Sequence, residues 1–175
     1  MMDARAGVKK AIKGDIAAFA ALIEMKKAEL YRIAFSYARN RDDALDIVGE
    51  AVYKAFIAVG RLRRPEYFNT WLTRILINCA VDHLRRAKKT VPMEENSPGT
   101  VTADATDQEA VLDLYAALDQ LDAKHRTVII LKYFHGYTLE EIARILAWPA
   151  GTVKTYVYRA LRMLNISLKE GEEIE

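Results

Sequence analysis

Residues 138–164 read TLEEIARILAWPAGTVKTYVYRALRML, and this stretch decides the fold. Thr138 and Glu141 have the T-x-x-E spacing of a capping box, in which a hydroxyl and a carboxylate satisfy the free N–H groups of a helix start. The short helix this predicts carries Ile142, Ala143, Ile145 and Leu146. A turn, Ala147-Trp148-Pro149-Ala150-Gly151, follows, and Pro149 suits the first turn of the next helix, where its missing N–H is harmless. In that helix, about 150–165, the residues Val153, Val157, Ala160, Leu161 and Leu164 fall on one face. The other side presents Lys154, Thr155, Tyr158, Arg159 and Arg162, with Tyr156 at the flank. Short helix, tight turn and longer helix make the helix-turn-helix pattern. A helix offering hydroxyls, aromatic rings and cations on a compact support can lie in a DNA major groove. With a merely solvated face, the same pattern is a plain helical hairpin.

Working upstream, Asp122 predicts the cap of a helix that runs through VIILKYF and stops at Gly136. Thr106 and Glu109 form another T-x-x-E pair, followed by Val111, Tyr115, Leu118 and Leu121. Before them lies KKTVPMEENSPGTVTADATDQ, residues 88–108, with two prolines, a glycine and almost no large apolar residue. It reads as a linker, because a loop of that length is uncommon inside one compact domain. The expected organisation is a first domain at 1–87, a linker at 88–108, a second domain at 109–170 and an acidic tail at 171–175. No internal repeat relates the two domains.

The first domain also reads as helical. Gly14-Asp15 opens a long segment in which Ile16, Phe19, Leu22, Ile23, Leu30, Ile33, Ala34 and Tyr37 recur at helical spacing. Asn40 and the charged RDD end it. Asp42 or Asp43 is the expected cap of the next helix, whose apolar stripe reads Leu45, Val48, Val52, Phe56 and Val59, with Gly60 as its stop. The basic loop Arg61-Leu62-Arg63-Arg64 closes on Pro65. A third helix, about 66–87, carries Phe68, Trp71, Leu72, Ile75 and Leu76. No alternating segment demands a strand, so the fold class is all-α: two small helical domains on a flexible linker.

Charge distribution says more than its sum. The 175 residues hold 26 basic and 24 acidic side chains, a net charge of +2. Residues 1–87 carry 16 basic and 10 acidic residues, and 111–169 carry 8 and 5, whereas 88–110 carry 2 and 5 and 170–175 carry 4 acids alone. Two basic blocks are therefore separated by an acidic strip, which suits an anionic partner such as nucleic acid as well as it suits an ordinary solvated surface. A hydrophobic share of 51% is ample for real cores and excludes wholesale disorder. Cys79 is the one cysteine, which excludes a disulfide framework and multi-cysteine zinc sites. No apolar run is long enough to span a membrane, and the first fifteen residues lack an apolar signal core. A reducing cytosol is the expected setting.

Catalytic and metal readings fare poorly. Asp42, Asp46 and Glu50 share a helical face with Asp43 beside them, a pattern that could attract a divalent cation. No histidine accompanies them, and ligands from one helix do not converge as those of a metal site do, so a solvated or partner-binding face is the better reading. His83, His125 and His135 are scattered. There is no glycine-rich phosphate loop and no nucleophile elbow. Cys79, in an apolar helical stretch, reads as core. No enzyme, no cofactor and no metal is expected.

Three segments taken in order, DALDIVGEAVYKAF (43–56), YFNTWLTRILINCAVDHLRR (67–86) and LEEIARILAWPAGTVKTYVYRALRML (139–164), resemble the bacterial group IV, or extracytoplasmic-function, sigma factors. The resemblance spans nearly the whole chain. It implies a sigma-two domain followed by a sigma-four domain, core RNA polymerase and promoter DNA as partners, and control by an anti-sigma factor in a stress or envelope response. It implies that Asp43, Asp46 and Glu50 dock on the polymerase clamp. Phe68, Trp71, Leu72, Arg74 and Ile75 match the segment that melts and reads the minus-ten element. Asn78 matches a position that helps hold a flipped base, and Arg61, Arg63 and Arg64 are expected at phosphates or that base. Trp71 is expected to pack in the core rather than stack on a base. Lys154, Thr155, Tyr156, Tyr158, Arg159 and Arg162 are the expected readers of the minus-thirty-five element. The chain departs from the family at Gly49, where a glutamine is usual, at Ala147, where a glycine is usual, and at Ala150, where an acid is frequent.

The division of labour is physically reasonable. A flipped base needs a pocket that repays a few kcal/mol of unstacking, whereas duplex readout needs a helix in the groove. Two promoter elements about two helical turns apart, ~70 Å, would draw a 21-residue linker nearly taut, since as a random coil it spans only ~25 Å. The free protein is expected to be a monomer with no membrane insertion. Two rival readings remain at this point: a DNA-binding regulator that works without polymerase, which leaves the first domain idle, and a helical adaptor that binds only proteins, which leaves the basic face of the last helix unexplained.

Overall fold

The computed structural model describes residues 4–90 and 114–172, which fall into two compact units. All the described elements are helical, and no strand occurs among the described residues. Most of the expected linker, the Thr106–Glu109 box, Val111 and residues 173–175 lie outside the described residues.

The first unit contains α1 (Ala4–Ile12), α2 (Ile16–Ala38), α3 (Arg41–Ala58) and α4 (Phe68–Thr90). Two single 3-10 turns, Val59–Arg61 and Pro65–Tyr67, join α3 to α4. Helix α1 was not anticipated. It is short, and only Val8 and Ala11 are large enough to anchor its buried side. Gly14, at φ +96°, turns the chain out of α1, and Asp15 caps α2 by accepting the Ala18 N–H at 2.9 Å. Helix α2 buries Phe19, Leu22, Leu30, Ile33, Ala34 and Tyr37 as its spacing predicted, but Ile16 is left exposed.

Between α2 and α3 the cap differs from expectation. Arg39 takes the left-handed conformation at φ +60°, and Asn40, not Asp42 or Asp43, caps α3 by accepting the Asp43 N–H at 2.8 Å. The buried face of α3 differs as well. It is Ala44, Ile47, Ala51 and Ala55, one residue out of phase with the expected stripe, a rotation of about 100°. Leu45 and Phe56 face outward, beside Tyr53 and Ile57. The reason is steric: α3 packs against both α2 and α4, and alanines let the three backbones approach closely. Helix α4 closes the core with Phe68, Leu72, Leu76, Ile77, Cys79 and Ala80, and extends to Thr90, past the expected end at 87.

The second unit contains a helix over residues 114–120 (α5), α6 (Ala123–Ile129), α7 (Leu139–Leu146) and α8 (Ala150–Glu172). Asp122 caps α6 by accepting from the Lys124 and His125 N–H groups, both at 3.0 Å. Past Ile129 the chain widens into a π turn over Ile130–Phe134, in which the His135 N–H reaches back five residues to the Ile130 carbonyl. Six consecutive residues, Arg126 to Leu131, are buried across the end of α6 and the start of this turn, so the segment is enclosed on all sides rather than along one face. Gly136, at φ +68°, then ends the segment as expected. Arg126 is buried and pairs with Asp119 at 2.8 Å, tying α6 to the end of α5.

Candidate nucleic-acid interface

In the second unit the helix pair α7–α8 is fixed at the start of α7 and at the turn between the helices. Thr138 accepts the Glu141 N–H at 3.2 Å, and Glu141 accepts the Thr138 N–H at 2.8 Å, which completes the capping box. The Thr138 N–H, joined by its hydroxyl at 3.0 Å, holds the Glu141 carboxyl below its ordinary range. Ala147 adopts the left-handed conformation at φ +52° where glycine would be unstrained. Pro149 stands just before α8, not inside its first turn, and its carbonyl accepts the Thr152 and Val153 N–H groups.

Val153, Val157, Ala160 and Leu164 bury one side of α8 against α6 and α7. Leu161, expected on that side, is 40% exposed. Burial of one row dictates what the opposite row shows: Lys154, Thr155, Tyr158, Arg159 and Arg162 are all exposed. Thr155 donates its hydroxyl to the Gly151 carbonyl at 2.9 Å, which orients it. Tyr156 behaves differently. Its half-buried ring lies 4.8 Å from the His125 ring and 5.2 Å from that of Trp148, and His125 is itself held by the Asp122 carboxylate at 2.9 Å. Burial alone would push the Asp122 carboxyl up, but the donations from His125 and Lys124 outweigh it and hold the group low. His125 and Trp148 escaped the sequence reading; the pairing of a turn aromatic with a ring one turn into α8 was the available signal.

In the first unit, Arg61 at the end of the first 3-10 turn and Arg63 and Arg64 between the two turns stand exposed. The Arg64 guanidinium lies 5.9 Å over the Tyr67 ring. On α4, Trp71, Arg74, Ile75 and Asn78 share the outer side by their three- and four-residue spacing, with Asn78 exposed and the other three half-buried. Phe68 and Leu72 belong to the core instead. Trp71 is therefore only partly a core residue; its ring packs 5.9 Å from that of Phe68.

The acidic row of α3 is divided in use. Asp46 is exposed. Asp43 accepts from the Asn40 side chain at 2.7 Å and stands 3.3 Å from His83 of α4. Glu50 is paired with Lys54 at 2.7 Å and with Arg86 of α4 at 3.0 Å. The Lys54 hydrogen bond, with Arg86 adding to it, holds the Glu50 carboxyl below its ordinary range. Beneath them Cys79 is fully buried, and burial pushes its thiol up. Among the described residues no group of three His, Cys, Asp or Glu side chains is placed to hold a metal ion, and no helix is long and apolar enough to cross a membrane.

Two family models match the chain in the order the geometry suggests: Sigma-70 region 2 over residues 22–90 and Sigma-70, region 4 over residues 112–164. The chain belongs to the sigma-70 family of RNA polymerase sigma factors. Within that family it is similar to the extracytoplasmic-function members. It is 41% identical to the RNA polymerase sigma factor SigV of Bacillus subtilis over 146 residues, covering 83% of this chain and 88% of the relative. It is 32% identical to SigW of the same organism over 178 residues, covering 93% and 95%. Among solved structures, the sigma factor RpoE in complex with the anti-sigma factor NepR from Bartonella quintana matches with a TM-score of 0.68 and 26% identity over 88% of this chain and 98% of that one. CnrH in complex with the cytosolic domain of CnrY matches with a TM-score of 0.71 at 24% identity, over 95% and 97%, and supports the fold. The sigma factor is thus an all-helical, two-unit protein that directs transcription initiation.

Proposed function

We propose that the two units divide the work of this sigma factor, the first (1–87) meeting core polymerase and the minus-ten element and the second (109–170) meeting the minus-thirty-five element. The observation that carries this reading is the outer face of α8, where Lys154, Tyr158, Arg159 and Arg162 stand exposed while the opposite row is buried. Cations at the edges of such a row meet phosphates, and the side chains between them meet base edges. On α4, Arg74 and Asn78 flank the half-buried Trp71 and Ile75, an arrangement suited to holding a separated strand, with Arg61, Arg63 and Arg64 at its phosphates.

Of Asp43, Asp46 and Glu50 on α3, Asp46 is the exposed acid, so it is the first polymerase contact in this reading, with Asp43 and Glu50 behind it. The chain acts as a non-enzymatic cytoplasmic subunit: the polymerase does the chemistry, and the sigma factor selects where. The RpoE neighbour is in complex with an anti-sigma factor, and the exposed apolar residues of α3 are a suitable surface for such a partner here.

The test is co-elution of the full chain with bacterial core RNA polymerase on gel filtration, with Asp46→Lys beside it. Co-elution that Asp46→Lys loses supports the assignment. Direct DNA binding with no polymerase association supports the free-standing regulator instead.

A further inference from the structure

Helix α1 lies before the stretch matched as Sigma-70 region 2, and the division of labour above gives it no part. Its sequence from residue 4 to residue 14, ARAGVKKAIKG, holds four cations and no acid. Val8 and Ala11 anchor the helix, which turns Arg5, Lys9, Lys10 and Lys13 outward to solvent. A cation in the last turn of a helix is favoured by the dipole. That effect does not select an acid-free surface extending to both ends of the helix.

The decisive observation is where α1 sits. It packs against both 3-10 turns that bracket the arginine loop. The Ile12 carbonyl faces Gly60, 3.7 Å from where a Cβ on that residue would stand. Lys13 and Arg61 are therefore each one residue from the same contact. The lysines of α1 and Arg61, Arg63 and Arg64 thus stand exposed on two segments that pack together, about fifty residues apart in sequence. The acids nearest to them in sequence are Asp3, just before α1 and outside the described residues, Glu66, exposed past the loop, and Asp15, whose carboxylate is committed to the Ala18 N–H.

We infer that α1 is a second phosphate-holding element of the first unit: Lys9, Lys10 and Lys13 grip the sugar–phosphate backbone of promoter DNA beside the segment that the arginine loop meets. Such contacts carry no base information and act through release of condensed counterions. They add affinity and salt sensitivity, and leave the choice of sequence to α4 and α8. The inference rests on the proposed placement of the arginine loop at DNA.

The test uses holoenzyme reconstituted from core polymerase and the full chain. The probe is a fluorescein-labelled duplex selected from a random-sequence pool on the wild-type holoenzyme. Equilibrium binding is followed across a salt series for the wild type, for the triple variant Lys9→Gln/Lys10→Gln/Lys13→Gln, and for Lys27→Gln on α2 as the control. The triple variant is expected to keep the wild-type helical content and core association. Its slope of log K against log salt is expected to become shallower by about 2 to 3, at roughly 0.9 for each phosphate it no longer neutralises. Its preference for the selected duplex over a scrambled one should stand, and Lys27→Gln should match the wild type. An unchanged slope overturns the inference. Loss of core association by the triple variant also overturns it, by assigning the lysines to the polymerase. A wild-type holoenzyme that selects no DNA overturns the parent reading, and this one with it.

Discussion

The ring of Tyr156 on α8 lies 4.8 Å from the imidazole of His125 on α6, so one side chain of α8 is held from behind by the helix that supports it. Trp148, 5.2 Å away in the turn, holds it from the other direction. The two tyrosines on this helix therefore differ in kind. Tyr156→Ala removes two aromatic pairs worth about 0.5–1.5 kcal/mol each and should lower the stability of the second unit by about 1–3 kcal/mol. Tyr158, 65% exposed, should cost less than about 0.5 kcal/mol when truncated, yet weaken binding to promoter DNA. Urea melts followed by Trp148 fluorescence in a Trp71→Phe background, alongside DNA binding, separate the two effects.

The carboxylates of α3 should separate in the same way. Asp46→Lys should weaken association with core polymerase and leave the melting temperature of the free protein within a degree or two, because its side chain is exposed. Glu50→Lys should lower both, since it replaces the acceptor of Lys54 and Arg86 by a third cation. Thermal melts and co-elution of the two variants check this; equal melting temperatures would refute it.

Acid should weaken the second unit through its helix starts. Asp122 and Glu141 both have carboxyl groups held below their ordinary range in the folded state. A lowered folded pKa means that the unfolded chain takes up protons first as pH falls. The stabilisation is full above the ordinary carboxylate range, near pH 4, and is lost as pH drops through that range and below it. The urea midpoint, read from Trp148, should fall between roughly pH 5 and pH 3. Glu141→Gln keeps an acceptor in the capping box and should flatten part of that dependence.

Gly49 is exposed in the middle of α3, and nothing lies within 4 Å of a Cβ added there. Gly49→Ala should therefore stabilise the first unit by up to ~1 kcal/mol, the helix-propensity difference, measured as a higher urea midpoint. A lower midpoint would mean that the glycine is needed by the fold.

Local chemistry was legible in the sequence, and tertiary chemistry was not. Asp15, Asp122, Gly136 and the Thr138–Glu141 box act through residues within a turn of themselves, and each does what its spacing implied. The outward row of α8 was legible because one apolar row faces it. Helix α3 has apolar residues on two sides, and periodicity favours the larger ones, whereas its packing between two helices selects the smaller. Asn40 displaced Asp42 and Asp43 as cap because the left-handed Arg39 begins the turn early. Besides their local partners, Asp43, Glu50 and Tyr156 each have one from another helix, about thirty to forty residues away, and no spacing within α3 or α8 announces His83, Arg86 or His125.

The alanine seam of α3 has a colloidal consequence. By spending its small residues inward, the helix leaves Leu45, Tyr53, Phe56 and Ile57 wet. The free chain thus shows water four large apolar side chains on the helix that also carries Asp46. In the proposed reading solubility and partner capture draw on the same residues, so a substitution that makes the lone protein easier to keep in solution there should also make it a poorer companion.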